Sequence, residues 1–238
     1  MNEKPIKAII WDLDGTLILF KINSIKARRK AIKILRAYGI PKEKLSIEMP
    51  ILKNVKISRI IFKELGLSSE KIKEIINDVN NAVIQVEREA AIKATLTLGI
   101  DHVLEFAKKK KLKQAVFTYN THSNAKISLE TAGIFHYFEV IVGRDDTKNL
   151  KPHPDHLKNV CEKINVQLDE IVVIGDTGRD IEAALLTNSK SIALNTKIPN
   201  FIKREMFKKA DKIIEPDEIP KELIKTLEDF LKYNKTKL

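Results

Sequence analysis

The chain has 238 residues, of which 43% are hydrophobic, and it carries a formal net charge of +11. A chain of this length can bury a sizeable core and accommodates one large domain or two smaller ones. No apolar stretch reaches the roughly 20 residues that span a bilayer, and Asp12 and Asp14 interrupt the one near the N-terminus, so we expect neither a membrane span nor a signal peptide. The single cysteine, Cys161, cannot form an internal disulfide and fits a reducing cytoplasm.

The first apolar run, at residues 7–11, leads into Asp12-Leu13-Asp14-Gly15-Thr16-Leu17. Its residues favour a buried strand, which would place the two carboxylates at the strand's C-terminal end. In open α/β sheets that end is where ligands bind. Two carboxylates on alternate residues repel each other unless a cation or a proton lies between them, and an oxygen-rich cluster suits Mg²⁺. The motif therefore predicts a metal site.

From about residue 22 to residue 92 the apolar side chains recur at helical spacing. Asn23 or Ser24 is a candidate N-cap of the first helix, and Gly39 a candidate stop. We expect a small helical bundle at residues 18–95, inserted between the first and second strands of the core.

The positive charge is concentrated in this helical segment. From Leu17 to Thr97 there are 17 Lys and Arg against 8 Asp and Glu, whereas the remaining residues carry 26 against 24. Two interpretations stay open. The basic side chains either form an ordinary solvated surface or steer anionic substrates toward the acid cluster.

After residue 95, strand-like runs alternate with helical segments, as a parallel sheet with covering helices requires. The predicted strands are 112–118, 138–142, 171–175, 191–195 and 212–215. The predicted helices cover about 101–110, 123–132, 154–165, 179–188 and 220–232. The two histidines of His153-x-x-His156 are interpreted as the start of a surface helix and not as metal ligands.

Polar residues follow several of these runs. Thr118 ends the run at 112–118, Lys151 precedes a helix, and Asp176 and Asp180 follow the run at 171–174. With the first motif, the chain offers an acid pair, a hydroxyl, a lysine and a second acid pair, in that order.

These four motifs in this order resemble the haloacid dehalogenase-like superfamily, in its phosphatase branch, over about residues 6–215. The helical insertion resembles the cap domain of the phosphoglycolate-phosphatase-like subfamily. The resemblance implies an α/β fold, with a Rossmann-like parallel-sheet core at residues 1–17 and 96–238, helices on both faces and an α-helical cap at residues 18–95.

The resemblance also implies roles for the acidic residues. Asp12 would be the nucleophile that forms an aspartyl-phosphate intermediate. Asp14 would protonate the leaving alcohol and then deprotonate the hydrolytic water. Mg²⁺ would be bound by Asp12, the backbone carbonyl of Asp14 and Asp176, with Asp180 supporting it through its water shell or as a further ligand.

The same resemblance assigns residues to the phosphoryl group. Thr118 would donate its hydroxyl to a phosphoryl oxygen, and Lys151 would offset the negative charge. Relatives often have asparagine directly after the hydroxyl residue; here Tyr119 intervenes before Asn120, which is a candidate phosphate contact. Lys21, with Arg28 or Arg29 as further candidates, is expected to contact a second anionic group on the substrate.

The expected function is that of a cytoplasmic, Mg²⁺-dependent phosphatase acting on a small phosphorylated metabolite, as a monomer or a homodimer. A phosphomutase of the β-phosphoglucomutase type would share Asp12 and Asp14 and stays open. A non-catalytic module that binds nucleic acid through the basic segment is the third interpretation. It is disfavoured because aromatic residues make up only 6% of the chain and because binding alone does not need a complete set of catalytic residues.

Overall fold

The computed structural model describes residues 4–19, 22–195 and 204–232. The chain divides into two compact units, one formed by Met1–Phe20 with Lys93–Leu238 and the other by Lys21–Ile92. In chain order the strands are β1 (Ala8–Trp11), β2 (Ile18–Leu19), β3 (Thr95–Leu96), β4 (Lys113–Phe117), β5 (Val140–Val142), β6 (Ile171–Gly175), β7 (Lys190–Leu194) and β8 (Lys212–Ile214). The helices are α1 (Ser24–Ala37), α2 (Ile51–Glu64), α3 (Ser69–Ala91), α4 (Ile100–Lys109), α5 (His122–Thr131), α6 (Pro154–Ile164), α7 (Gly178–Leu186), α8 (Arg204–Phe207) and α9 (Lys221–Lys232).

The first unit is built on a six-stranded parallel sheet in the order β5-β4-β1-β6-β7-β8. Its central strand β1 is buried along its whole length. Because side chains alternate across a strand, Ile9 and Trp11 pack on one face of the sheet with α4, α5 and α9. Ala8 and Ile10 pack on the other face with α6 and α7. The expected α/β fold, with a parallel sheet and helices on both faces, is confirmed.

The strand order places the candidate site. Strands β4 and β6 both pair with β1, so that Trp11 lies opposite Val116 on one side and Ile174 on the other. The C-terminal ends of these three neighbouring strands therefore meet at one edge of the sheet. The next residues along each strand carry the chain toward Asp12, Thr118 and Asp176.

A two-stranded antiparallel sheet, β2 with β3, is absent from the predicted elements. Each strand has two residues, which is too short to produce an alternating pattern in the sequence. These strands lie just before and just after the helical segment along the chain. The short α8 was not predicted either.

The second unit consists of α1, α2 and α3, as the helical spacing predicts. The side chain of Asn23 accepts a hydrogen bond from the backbone N–H of Lys26 and so caps α1. Gly39 follows that helix with a φ of +95°, a left-handed conformation that glycine adopts without steric cost. The three helices enclose their own apolar core, whose buried members are Ala31, Leu35, Ile40, Leu45, Val55, Phe62, Ile72, Ile75, Ile76 and Val79.

Within the described residues, no helix is both long and apolar enough to cross a membrane.

Candidate functional site

The structure joins four of the predicted site residues at the C-terminal edge of the sheet. The ammonium group of Lys151 donates a hydrogen bond to Asp12 Oδ1 and forms an ion pair with Asp180 Oδ1 at 2.7 Å. One oxygen each from Asp12, Asp176 and Asp180 lies within 4.8 Å of the others. All four side chains are buried, so their charges are shielded little by water.

Lys151 is held by more than its carboxylate partners. Its ammonium also donates to the backbone carbonyl of Phe117 at 3.2 Å and lies 4.1 Å from the centre of the Phe117 ring. Burial by itself lowers the pKa of Lys151, but the charges of Asp12 and Asp180 outweigh burial and hold that pKa above its usual value. The lysine therefore stays cationic at neutral pH.

The three carboxylates are less easily ionised together. Burial raises the pKa of Asp12, and the charge of Lys151 partly offsets the rise. Burial, followed by repulsion from Asp12 and Asp180, raises the pKa of Asp176 to about 9. Three buried carboxylates beside one ammonium leave an excess of negative charge, which a proton or a cation must balance. An all-oxygen set of this kind suits Mg²⁺, so the residues present fit the expected metal.

A second group of predicted residues is linked by hydrogen bonds near the same edge. The side-chain amide of Asn120 donates to Asp14 Oδ2 at 2.7 Å. The backbone N–H of Asn120 donates to the buried hydroxyl oxygen of Thr118 at 3.1 Å. In this structure Asn120 thus orients the Asp14 carboxylate, a contact that the sequence pattern does not indicate. The roles of all these residues stay predictions, and Lys21 lies outside the described residues.

Two further residues, Tyr119 and His156, position Lys151 and are missing from the predicted set. The hydroxyl of Tyr119 donates to the backbone carbonyl of Lys151, and the guanidinium of Arg179 lies 5.2 Å from the Tyr119 ring centre. The backbone N–H of Lys151 donates to His156 Nδ1 at 3.2 Å, and His156 Nε2 lies 3.1 Å from the carbonyl oxygen of Val142.

The interpretation of His156 as a surface residue is wrong, because its side chain is fully buried. Burial lowers the pKa of His156 to about 4, so the ring is neutral and can accept from one neighbour while donating to the other. His153, by contrast, is exposed and caps the N-terminus of α6, as expected. The apolar residues on α6 at helical spacing from His156 were a sequence signal for its burial.

We expect Tyr119→Phe to lower kcat by about 2- to 10-fold, the equivalent of one ordinary hydrogen bond. The ring contacts remain, and only the bond to the carbonyl of Lys151 is lost. Steady-state kinetics on both proteins measures the effect. Tyr137→Phe is the matched control, because it removes a hydroxyl bonded to Glu105, outside the candidate site. Equal kcat values for Tyr119→Phe and wild type would show that the Tyr119 hydroxyl does not position Lys151.

Gly15 lies where the chain turns directly after the first acid pair. It has a φ of +86°, and an added Cβ would lie 2.3 Å from Asp176 Oδ2. We expect Gly15→Ala to destabilise the fold and also to weaken metal binding, because Asp176 must move. Gly133→Ala is the matched control, with a φ of +74° and no atom within 4 Å of the added Cβ. Both variants incur strain of about 1–3 kcal/mol, measured by denaturant unfolding. If Gly15→Ala reduces the metal affinity no more than Gly133→Ala does, the close approach of Gly15 to the acid cluster is contradicted.

Comparisons with known proteins indicate the same family as the four sequence motifs. The family model described as haloacid dehalogenase-like hydrolase matches residues 9–194. A phosphorylated carbohydrates phosphatase from Thermotoga maritima is 28% identical over 191 residues, covering 75% of this chain and 80% of the relative. A protein named as a pyrophosphatase from Clostridium perfringens is 25% identical over 197 residues, covering 82% of this chain and 86% of the relative.

Solved structures agree in fold. The crystal structure of β-phosphoglucomutase from Clostridium difficile superposes with a TM-score of 0.66 at 24% identity, over 96% of this chain and 98% of that one. At 24% identity, this superposition shows that the two proteins share a fold. Because the family model covers most of the chain, the chain belongs to the haloacid dehalogenase-like hydrolase family, as its four motifs predict.

Proposed function

We propose that the protein is a Mg²⁺-dependent phosphatase that hydrolyses a small phosphorylated metabolite through an aspartyl-phosphate on Asp12. The observation that carries the proposal is the buried contact of Asp12 with Lys151, beside the carboxylates of Asp176 and Asp180. Asp12 and Lys151 are both buried and in contact. They place a nucleophile and a fixed positive charge side by side in a site that contains little water. Phosphoryl transfer requires these two groups together.

The proposed metal ligands are Asp12, Asp176 and Asp180, with the backbone carbonyl of Asp14. When bound, Mg²⁺ would offset the repulsion between these carboxylates and an incoming phosphoryl group. Phosphatase activity is also in keeping with the names of the two relatives, one of which is a phosphatase of phosphorylated carbohydrates.

In the proposed reaction a carboxylate oxygen of Asp12 bonds to phosphorus while the bond from phosphorus to the ester oxygen breaks. Asp14 gives a proton to the departing alkoxide. It then takes a proton from the water whose oxygen bonds to phosphorus while the bond from phosphorus to Asp12 breaks, which releases inorganic phosphate and restores the Asp12 carboxylate. Such proton transfers contribute about 10²- to 10⁴-fold in rate. The hydrogen bond from Asn120 to Asp14 Oδ2 orients the Asp14 carboxyl group for this proton transfer. Thr118 and Lys151 would contact the phosphoryl oxygens.

We further propose that the helical unit serves as a cap that restricts the site to small substrates, so that nucleic acid is not the substrate. The domain limits at residues 17/18 and 95/96 remain part of this proposal, as does the assembly as a monomer or homodimer. The same side chains would also serve a phosphomutase, which returns the phosphoryl group to a sugar and not to water.

The test is release of inorganic phosphate from p-nitrophenyl phosphate, phosphoglycolate, sugar phosphates and nucleoside monophosphates, with Mg²⁺ and with EDTA. We expect turnover that requires the metal and that falls at least about 10³-fold in Asp12→Asn, since the nucleophile is lost. Asp217→Asn, an exposed carboxylate in the same unit, is the matched control.

Unchanged turnover in Asp12→Asn would overturn the proposal. Conversion of β-glucose 1-phosphate to glucose 6-phosphate, without net phosphate release, would favour the mutase.

A further inference from the structure

The helical unit contains a cleft that none of the candidate catalytic residues lines. Its volume is about 630 Å³, within the range of about 300–1,000 Å³ typical of small-molecule sites. The wall includes four cationic side chains, Arg29, Lys33, Arg36 and Lys42, and no described residue of the lining is acidic. The cleft is therefore electropositive as well as concave.

Three of the cations form a row on one face of α1. Arg29, Lys33 and Arg36 are spaced four and three residues apart, so they are neighbours on the helix surface and span about 10 Å along its axis. Like charges at these spacings destabilise a helix, and α1 contains no acidic residue to compensate.

These side chains differ from other basic residues of the same helix. Lys26 pairs with Glu89 at 2.5 Å, and Arg28 donates to the backbone carbonyl of Ile47 at 3.1 Å. Among the described residues, no ion pair with a carboxylate involves Arg29, Lys33 or Arg36. A row of cations that the chain itself leaves uncompensated is suited to an anion from outside.

The opposite wall of the cleft is fixed in place by hydrogen bonds. The side chain of Asn54, which is 1% exposed, accepts from the backbone N–H of Ser46 at 3.1 Å and donates to the carbonyl of Ser46 at 2.9 Å. The bond from Arg28 holds the next residue, Ile47. The cleft is thus formed before any ligand arrives, which lowers the entropy cost of binding.

Apolar side chains lie among the cations. Ile32 on α1 and Leu45 and Ile47 on the facing segment contribute to the lining. We propose that this cleft binds a small organic ligand that carries two or more phosphate charges beside an apolar group, the class that includes nucleoside diphosphates. An extended nucleic acid fits less well, because no aromatic side chain lines the cleft to stack on successive bases.

The proposal is tested by calorimetric titration of the full chain with ADP and with inorganic pyrophosphate, in EDTA so that binding is read without turnover. The cleft variant combines Arg29→Gln, Lys33→Gln and Arg36→Gln. We expect it to weaken ADP binding at least 10-fold, while its thermal stability stays equal or rises. The matched control combines Lys53→Gln, Lys56→Gln and Arg59→Gln. It removes the same charge from exposed positions of α2 in the same unit, and we expect less than a twofold change.

A single Lys42→Gln change, outside the α-helices, provides a second variant, for which we expect a smaller loss of ADP affinity. ADP should bind more tightly than pyrophosphate, because only ADP reaches the apolar lining. The proposal is overturned if wild type binds neither compound at millimolar concentration, or if the α2 control loses as much affinity as the cleft variant. The proposal is also overturned if single-stranded RNA binds more tightly than ADP and if both triple variants weaken RNA binding equally. That result would indicate that polyanions bind to the basic surface of the helical unit in general and not to the cleft.

Steady-state kinetics on the ester that the enzyme hydrolyses distinguishes whether the cleft ligand is the substrate or a separate effector. A KM raised in the cleft variant, with kcat unchanged, identifies the cleft ligand as the substrate. An unchanged KM together with the lost ADP binding identifies a separate effector. Because the primary readout is binding, failure of the proposed phosphatase activity would leave this test intact.

Discussion

Replacement of Lys151 by methionine is expected to lower kcat by at least about 10²- to 10³-fold, the usual cost of removing one group that stabilises transition-state charge. The ammonium is the only positive charge in contact with both Asp12 and Asp180 among the described residues. Loss of one partner from a buried ion pair costs about 3–5 kcal/mol, so the free energy of unfolding without Mg²⁺ should fall by a similar amount.

Phosphate-release kinetics and urea unfolding, each with and without Mg²⁺, measure these two effects. Lys148→Met is the matched control, since Lys148 is an exposed residue shortly before Lys151 in the chain. A Lys151→Met protein with wild-type kcat would exclude the lysine from phosphoryl stabilisation. If only stability fell, the ion pair would be structural and not catalytic.

The second large effect is the dependence of stability and metal binding on pH. The pKa of Asp176 is raised in the folded chain from 3.8 to about 9 by burial and by the neighbouring carboxylates. A group whose pKa is raised by folding stabilises the folded state most below its unfolded pKa, and this stabilisation is lost as the pH rises toward the folded pKa. Without metal, the contribution of Asp176 should therefore fall between about pH 4 and pH 9.

Metal binding should reverse this trend, because the ligand carboxylates must be ionised to bind Mg²⁺. We expect the rise in Tm on adding Mg²⁺ to be larger at pH 8 than at pH 6. Titration of Mg²⁺ in two buffers of different ionisation enthalpy at pH 7 should show proton release. Asp176→Asn should abolish both effects, whereas Asp217→Asn should preserve them. A Mg²⁺-induced Tm rise that is independent of pH would contradict the protonated state of Asp176.

The sheet and its site could be predicted because their physical signals are local. A parallel strand that is buried on both faces, such as β1, reads as an uninterrupted apolar run, and the acid that follows it must lie at the sheet edge. The same logic predicts Thr118 and Asp176 at the C-terminal ends of their own strands, and the pairing of β4 and β6 with β1 brings these ends to one edge of the sheet. Lys151 had no strand before it, and its assignment depended on the order of the motifs.

The parts that were missed depend on contacts between distant segments. The apolar spacing on α6 indicates the burial of His156, but its hydrogen bonds to the backbone of Lys151 and Val142 form only in the folded chain. Tyr119 stands where the family resemblance predicts asparagine, and only the folded chain reveals its bond to Lys151. The pair of β2 with β3 joins residues 18–19 to residues 95–96, a separation across which two-residue strands leave no periodic signal.

The basic helical unit illustrates the difference between composition and arrangement. The excess of lysine and arginine is visible in the sequence, but it does not distinguish a solvated surface from a binding site. The structure separates Lys26 and Arg28, which have partners within the chain, from Arg29, Lys33 and Arg36, which line the cleft. Helical spacing alone aligns these three residues, but the facing wall held by Asn54 does not follow from the sequence pattern.

The most direct test of the proposed mechanism is chemical trapping of the phosphorylated enzyme. Borohydride reduces an aspartyl-phosphate to homoserine, and mass spectrometry then locates the altered residue. With substrate and Mg²⁺ present, we expect the change at Asp12 and at no other aspartate, and we expect none when Mg²⁺ is removed or in Asp12→Asn. Modification of a different residue, or rapid metal-dependent turnover with no trapped intermediate and full activity in Asp12→Asn, would contradict Asp12 as the nucleophile.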